Sequence, residues 1–469
     1  LFTAKNLIGN LLCGYEYKCL QGVGFSNGAS QGFKRQDGAP YKKFAGKATV
    51  TREALPLAIA VVKQSVSWEE VLTRRFGSET NWFTIVDGNG LFTVPKNNLI
   101  DRAACKEPCM NMYFQRGAGL FIRNRLRTVG IDLNDQTRNN RLAQLGSLDG
   151  SLATIDLSSA SDSISDRLVW DLLPPELYSY LDLLRSKRIS RKGNPQESWK
   201  HELFSTMGNG FTFELESLLF WALAKSCTLY LNSPCENIGI YGDDIIIPTN
   251  VFPLLHDILS AVGFSLNTEK SFYTGYFRES CGKHYYRGTD VTPFYIKQPI
   301  VNSERLMLVL NRLRAWGVVS GVSDPRLYEV WLEYSRYIPT MFYGGQNLDT
   351  GYSLVTGDCP RKELRPISVK KIFFDTWEQY GRLCASLSEP EPLSSDQSFR
   401  YFVGWRDWKS LLRWSLRAPN GSKSAIEDTR VITGYAIKRN RSWMVPVPVF
   451  PQEILGTATL TSEGYGLKA

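Results

Sequence analysis

Asn237 to Pro248 reads N-I-G-I-Y-G-D-D-I-I-I-P. Two short apolar runs flank a tight polar turn that ends in adjacent carboxylates, Asp243 and Asp244. The pattern predicts a β-hairpin, with Gly242 free to take the positive φ such turns need. Ile238, Ile240, Ile245, Ile246 and Ile247 are β-branched and suit strands packed in a core. Two anionic side chains at a rigid tip repel each other unless a cation sits between them. Alone, a Gly-Asp-Asp turn reads as a solvated loop end. A third carboxylate arriving from a second strand would make it a divalent-metal site.

Ser151 to Ile155 (S-L-A-T-I) reads as that second strand, with Asp156 directly after it and Asp162 six residues on in L-S-S-A-S-D-S-I-S. Taken alone, Asp156 or Ser158 reads as a helix N-cap. Asp156 and Asp243 lie 87 residues apart, each at the end of a β element. The interval holds a Gly-containing loop, Ser205 to Ser217, that runs into the apolar Leu218 to Ala224 and predicts a buried helix. Gly208, Thr212 and Glu216 fall roughly on one face, where Gly208 would permit close approach of a ligand backbone. Asp156, Asp243 and Asp244 together would hold two divalent cations, and Mg²⁺ suits carboxylates plus substrate phosphates. Two such ions roughly 3.5–4 Å apart can activate a 3′-hydroxyl and stabilise leaving pyrophosphate. Lys96 and Arg102 would supply positive charge to a triphosphate.

The chain has 469 residues, enough for two or three subdomains, with 43% hydrophobic and 22% charged residues. A net charge of +9 favours a polyanionic partner, nucleic acid or an acidic membrane surface. Nine Cys show no disulfide framework, and no Cys or His cluster completes a zinc site. The thiols read as reduced, as in a cytoplasmic protein. No apolar run approaches a transmembrane span and no signal peptide is visible. The chain opens at Leu1, inside what reads as ordinary folded sequence, so further N-terminal sequence is expected.

Residues 1–50 are Gly-rich and basic and read as extended loops. Thr51 is expected to cap a helix to about Gln64. Ser67 with Glu70 forms a capping-box pattern for a second helix ending at Phe76-Gly77. From Lys96 to Arg141 nine Lys/Arg stand against four Asp/Glu, and Arg116, Arg123 and Arg127 share one helical face. That face is either solvated or the wall of a basic channel. Val251 to Val262 reads as a helix with Gly263 after it, Phe277 to Tyr286 as a second hairpin, and Asn302 to Trp316 as the clearest helix of a helix-rich remainder. Residues 389–396 read as a Pro-containing loop. From Arg400 to Val445 ten Lys/Arg against three Asp/Glu interleave with Trp405, Trp408, Trp414 and Trp443, a pattern that suits nucleic acid.

The motifs and their order resemble the palm of template-dependent RNA polymerases. Asp156-x5-Asp162, Gly208-x3-Thr212 and Tyr241-Gly242-Asp243-Asp244 look like its first three motifs. Lys270 stands where the fourth has a lysine. Closer still, V-P-K (94–96), I-D-L-N-D-Q-T (131–137), D-L-S-S-A-S-D-S-I-S (156–165), M-G-N-G-F-T-F-E-L-E-S (207–217), Y-G-D-D-I-I (241–246) and F-R-E-S-C-G-K-H-Y-Y (277–286) resemble the replicase β subunit of the leviviruses, positive-strand RNA bacteriophages. The match is strong from about Phe92 to Tyr295.

The resemblance implies an α+β right-hand fold with an antiparallel-sheet palm. Fingers would span 1–150, with an insertion near 166–204. The palm would span 151–290, and a mainly helical thumb and C-terminal region 291–469. It implies RNA-directed RNA polymerase activity on an RNA template and product from NTPs, in the cytoplasm of the infected bacterial host. The cofactor would be two Mg²⁺ ions, with Mn²⁺ or Ca²⁺ able to substitute in binding. Asp156, Asp243 and Asp244 would be the catalytic metal ligands and Lys270 a proton donor to pyrophosphate. Lys96, Arg102, Asp162, Ser205, Gly208, Asn209 and Thr212 would line the nucleotide, with Asp162, Ser205 and Asn209 facing the ribose 2′-hydroxyl. Host elongation factors Tu and Ts and a ribosomal protein would be partners. Glu216 departs from the general polymerase pattern, which places Asn there. A reverse transcriptase shares the Tyr-x-Asp-Asp hairpin but carries a bulky residue near the first Asp, where this chain is small and polar. A non-catalytic RNA-binding or coat-associated protein with purely structural acidic turns is the remaining alternative.

Overall fold

Within helix Thr212–Tyr230 the run Leu218–Ala224 is apolar on every side, and a helix of that kind is stable only inside a core. Leu215, Leu218, Leu219, Phe220, Ala222, Leu223 and Ala224 are all buried. Each Leu or Phe so placed contributes about 1.5–3 kcal/mol relative to exposure. Around this helix pack the helices Phe2–Leu12, Cys109–Thr128 and Phe252–Ala261 and the strands Gly239–Tyr241 and Asp244–Pro248. The computed structural model describes residues 1–14, 21–96, 100–191, 194–319 and 322–356. Beyond these it describes the strands Lys362–Pro366, Lys370–Phe374, Tyr401–Trp405 and Tyr435–Arg439. The architecture is mixed α+β.

The sheet on the central helix has three antiparallel strands in the order Leu152–Ile155, Asp244–Pro248, Gly239–Tyr241. Ile245, Ile246 and Ile247 are all buried, so both faces of the middle strand are covered. Helix Thr137–Asp149 and the hairpin Phe277–Ser280/Lys283–Tyr286 close the face away from the central helix, where Ala143, Leu152, Ile246 and Tyr285 form one cluster.

A second sheet has four strands in the order Asp101–Lys106, Asn89–Pro95, Arg188–Arg191, Asn194–Lys200. The first two are an antiparallel hairpin, and Arg188–Arg191 joins Asn89–Pro95 in parallel.

Several local expectations are corrected. Residues 1–50 hold the helices Phe2–Leu12 and Pro40–Ala45 rather than only loops. Ala4, Ile8, Leu11 and Leu12 recur at helical spacing and are buried. Thr51 caps nothing. It ends strand Ala48–Thr51, which pairs in parallel with Phe83–Val86, and the helix begins at Leu55 with Pro56 in its first turn, where a missing N–H costs nothing. The next helix is Val66–Phe76, so Ser67 lies inside it and the capping box does not form. Neither Asp156 nor Ser158 caps a helix. Leu157–Ser158 pairs with Ser265–Leu266, and Ser165 caps the helix Asp166–Leu172 by accepting the Leu168 N–H at 3.2 Å.

Helix Phe252–Ala261, with Gly263 at φ 97°, and hairpin Phe277–Tyr286 stand as the sequence predicts. So does helix Ser303–Trp316, capped by Asn302 through the Arg305 N–H at 2.9 Å.

The chain divides into two compact units, one holding Leu1–Thr292 and the other beginning at Pro293. In the second, helices Ser303–Trp316 and Pro325–Ser335 share a core of Met307, Leu310, Tyr328, Trp331, Ile338, Phe342 and Leu354. Its remaining described elements are mainly short strands. Among them, Lys362–Pro366 pairs with Tyr435–Arg439, and Lys370–Phe374 with Tyr401–Trp405, across long sequence gaps. Residues 389–396 lie outside the described residues. So does the basic, Trp-containing stretch Arg400–Val445, apart from its two strands.

Candidate active site

Tyr241 pairs with Asp244, which leaves Gly242 and Asp243 as a two-residue turn. Gly242 has φ 61°, while Asp243 is not among the positive-φ residues, the arrangement of a II′ turn. The turn is docked on the first turns of the central helix. The Gly242 N–H donates to Ser217 Oγ at 3.0 Å, and the Phe213 and Tyr241 rings meet edge to face at 5.1 Å. A Cβ on Gly242 would lie 2.6 Å from Phe213 Cε2 and 3.0 Å from Glu216 Oε1. Gly242→Ala is therefore expected to destabilise the protein by about 1–3 kcal/mol and to depress activity further by displacing Asp243. Urea unfolding beside a nucleotide-incorporation assay checks both; unchanged stability would show that the turn relaxes freely.

Ile155 pairs with Ile245. One step further along that antiparallel register, Asp156 stands across from Asp244, next to the turn that carries Asp243. Asp156 is fixed by its neighbours: Asn267 Nδ2 donates to its Oδ2 at 2.7 Å, and its N–H donates to Ser271 Oγ at 3.1 Å. Burial raises its carboxyl above the ordinary range and the Asp243 charge adds to this, while the Asn267 hydrogen bond and Lys270 oppose it. Lys270 thus stands near Asp156, exposed on the turn after strand Ser265–Leu266.

Asp244 Oδ1 accepts the Cys281 N–H at 3.1 Å and the Ser280 hydroxyl at 3.2 Å, both from the tip of the supporting hairpin. Cys281 and Gly282 have φ 50° and 72° there, the I′ pattern that aims the Cys281 N–H outward. Burial pushes Asp244 up to about 6, with Asp243 and Asp156 adding to it. Glu216 is buried and pushed up to about 8 by burial, although the Ser161 hydroxyl donates to its Oε2 at 2.6 Å. Glu216 is thus a buried, hydrogen-bonded acid beside the Gly242 turn.

The nucleotide candidates divide. Arg102 is close enough to Asp162 to oppose the rise that burial imposes on that carboxyl. Lys96 is exposed just past the end of the same hairpin, where its N–H donates to Ile100 O at 3.0 Å. Leu203 bridges Ser165, and the Phe204 N–H donates to Ile164 O at 2.9 Å, so the loop carrying Ser205 runs antiparallel beside Asp162–Ser165. Ser205 and Asn209 are buried, and Ser205 Oγ and Asn209 Nδ2 have no partner among the described residues. Thr212 Oγ1 donates to Thr206 O at 3.1 Å and closes the loop.

The backbone that Gly208 approaches is the chain's own. At φ 114° a Cβ there would lie 2.1 Å from Cys105 O. The arginine face of helix Cys109–Thr128 is partly committed as well: Arg123 pairs with Glu214 at 2.6 Å, while Arg116 and Arg127 are exposed.

A family model described as "RNA replicase, beta-chain" matches residues 1–383. This chain belongs to that replicase family. It is similar to the RNA-directed RNA polymerase beta chain of Enterobacteria phage GA, at 51% identity over 97% of this chain and 79% of that one. It is 50% identical to that of Escherichia phage MS2 over 96% and 79% of the two chains. With the RNA-directed RNA polymerase subunit beta of Escherichia virus Qbeta it shares 46% over 67% and 51%. The replicase chain is accordingly an RNA-directed RNA polymerase of the RNA-phage type, a nucleotidyltransferase. Among solved structures it is similar to the RNA-dependent RNA polymerase of a human picobirnavirus at 15% identity over 53% of this chain and 55% of that one, with a TM-score of 0.36, too distant to carry an argument.

No helix among the replicase chain's described residues is long and apolar enough to cross a membrane. Its carboxylates have the hard-oxygen chemistry a divalent cation requires, and burial, with mutual repulsion adding to it, raises two of them. As placed, no group of three or more His, Cys, Asp or Glu among the described residues closes into a ligand set. Asn267, Ser217, Ser280 and Cys281 hold the site and were missed in the sequence. Only Ser280-Cys281-Gly282 carried a signal, as the turn of a recognisable hairpin.

Proposed function

We propose that this polymerase extends RNA by nucleotidyl transfer from NTPs to a 3′-hydroxyl, with divalent cations held by Asp156, Asp243 and Asp244. The observation that carries the reading is the strand register, which sets Asp156 across from Asp244 and beside Asp243. Bound there, two Mg²⁺ ions would supply charge stabilisation for the attacking and leaving oxygens. Mn²⁺ or Ca²⁺ would substitute in binding.

The chain's own groups do the rest. Asn267 and the Cys281 N–H hold the carboxylates in place. Lys96 and Arg102 bind the triphosphate, and Lys270 donates a proton to departing pyrophosphate. Asp162, Ser205 and Asn209 meet the ribose, since the last two offer buried polar atoms that still lack partners. Gly208 and Thr212 give the loop its shape. In a right-hand arrangement, residues 1–150 with the 166–204 insertion form fingers, 151–290 the palm, and 291–469 the thumb and C-terminal region. The host elongation factors Tu and Ts and a ribosomal protein are proposed partners in the bacterial cytoplasm, tested by comparing incorporation with and without host extract.

Template-directed incorporation of ribonucleotides is expected to stop on chelation and return with Mg²⁺. Incorporation that persists in chelator sinks the metal reading. The cation should also stabilise the protein with a defined pH dependence. Asp244 has its folded value near 6, above the ordinary 3.8, so its contribution to stability is present below about 4 and is lost as pH rises through 6. Cation binding needs the ionised form. Mg²⁺ is therefore expected to raise Tm more at pH 7.5 than at pH 5; the reverse order would contradict the carboxylate assignment.

A further inference from the structure

Glu107 follows strand Asp101–Lys106 and is 1% exposed. It accepts from three neutral donors: Asn89 Nδ2 at 2.7 Å on Oε1, and Gln115 Nε2 at 3.0 Å and Ser186 Oγ at 2.9 Å on Oε2. Two of these donors reach the loop between Ser205 and Thr212. Asn89 Nδ2 also donates to Thr206 Oγ1 at 3.0 Å. Gln115 Oε1 accepts the Gly210 N–H at 3.0 Å. The loop is thus held near both ends, at Thr206 and at Gly210, by side chains that Glu107 orients.

A carboxylate only accepts, so it dictates which way each amide faces. With Nε2 committed to Glu107 and, at 2.9 Å, to Leu184 O, Gln115 must present its oxygen to Gly210. Between the two anchors the Asn209 N–H donates to Thr206 O at 3.1 Å and its Oδ1 accepts the Phe211 N–H at 3.0 Å, which leaves Nδ2 as the group without a partner. Ser205 Oγ, immediately before the first anchor, is the other.

We infer that Glu107 is a positioning residue for ribonucleotide recognition: through Asn89 and Gln115 it fixes the Ser205–Gly210 loop so that Ser205 Oγ and Asn209 Nδ2 meet the incoming sugar. The inference rests on the reading that this loop faces the ribose. Glu107 itself touches no substrate. Its third partner, Ser186, holds Glu107 without itself bonding the Ser205–Gly210 loop among the described residues, and provides an internal control.

The test uses the full chain and compares single-nucleotide incorporation from ribo- and deoxynucleoside triphosphates, with kcat and KM separated and Tm measured alongside. In Glu107→Gln one acceptor becomes a donor facing a donor. In Asn89→Ala the Thr206 anchor is lost. Both are expected to raise KM for the ribonucleotide about three- to tenfold and to lower ribose selectivity by a similar factor, with a smaller change in kcat. Ser186→Ala is expected to lower Tm and leave selectivity unchanged. If Glu107→Gln and Asn89→Ala lower Tm as Ser186→Ala does and leave selectivity intact, Glu107 is only structural and the inference falls. Ser205→Ala and Asn209→Ala separate the two levels. Selectivity lost in these but kept in Glu107→Gln and Asn89→Ala overturns the positioning role alone. Selectivity kept in all four overturns the loop's assignment to the ribose.

Discussion

Asp243→Asn is expected to lower template-directed incorporation by on the order of 10²–10³-fold, the scale for removing one preorganised charge from a reaction centre. The substitution keeps the side chain's shape and removes its charge. Among the described residues no protein donor satisfies Asp243, in contrast to Asp156 and Asp244, so folding does not depend on its carboxylate. Burial raises Asp156, Asp244 and Glu216, and the Asp243 charge adds to each of these rises. Asp243→Asn should therefore melt at the same temperature as the parent or slightly above it while losing activity. That pairing separates a functional carboxylate from a structural one. Undiminished incorporation would remove Asp243 from the reaction, and a marked fall in Tm would mean the turn had been misread.

Arg278→Met is expected to cost about 3–5 kcal/mol of stability, the scale for breaking a buried charged network, while leaving every proposed ligand in place. Arg278 is fully buried in the supporting hairpin. Its guanidinium donates to Leu152 O, Thr274 O, Gly275 O and Phe277 O, so one cation joins the hairpin to the strand that leads into Asp156. Burial lowers its pKa, and Asp149 opposes this. Methionine fills much of the volume but leaves four carbonyls without that donor, and one buried carbonyl costs about 1–3 kcal/mol. Chemical denaturation reads the effect directly. A loss below about 1 kcal/mol would mean that water replaces the guanidinium, and the hairpin's link to the Asp156 strand would be weaker than the hydrogen bonds imply.

The elements read correctly from sequence are those whose signal is local. The Gly-Asp-Asp hairpin, the strand before Asp156, the buried helix after Phe211 and the 277–286 hairpin each combine a hydrophobic period with a turn or cap. Thr51 and Ser67 failed because a hydroxyl before an apolar run is also what a strand end or a helix interior can carry. Pro56, inside the helix expected from Thr51, stands instead in the first turn of Leu55–Lys63. Parallel pairings, such as Asn89–Pro95 with Arg188–Arg191, leave no local trace, since the partner lies about a hundred residues away. The positions of Asp156 and Asp243 were legible, whereas the shell around them was not. Asn267, Ser217 and Glu107 are ordinary polar residues until folding decides what each one faces.

The antiparallel pairing of Leu152–Ile155 with Asp244–Pro248 has a consequence in time. Closing so long a loop carries an entropy cost that nearby contacts do not repay, so this pairing is a slow and late event. During synthesis Asp156 precedes Asp243 by roughly 4–17 s at 5–20 residues per second. Its partner Asn267 and the hairpin that holds Asp244 follow later still. A nascent chain ending before Cys281 lacks the groups that hold Asp244 in place. Assembly of the carboxylate site thus waits for the 277–286 hairpin to be made.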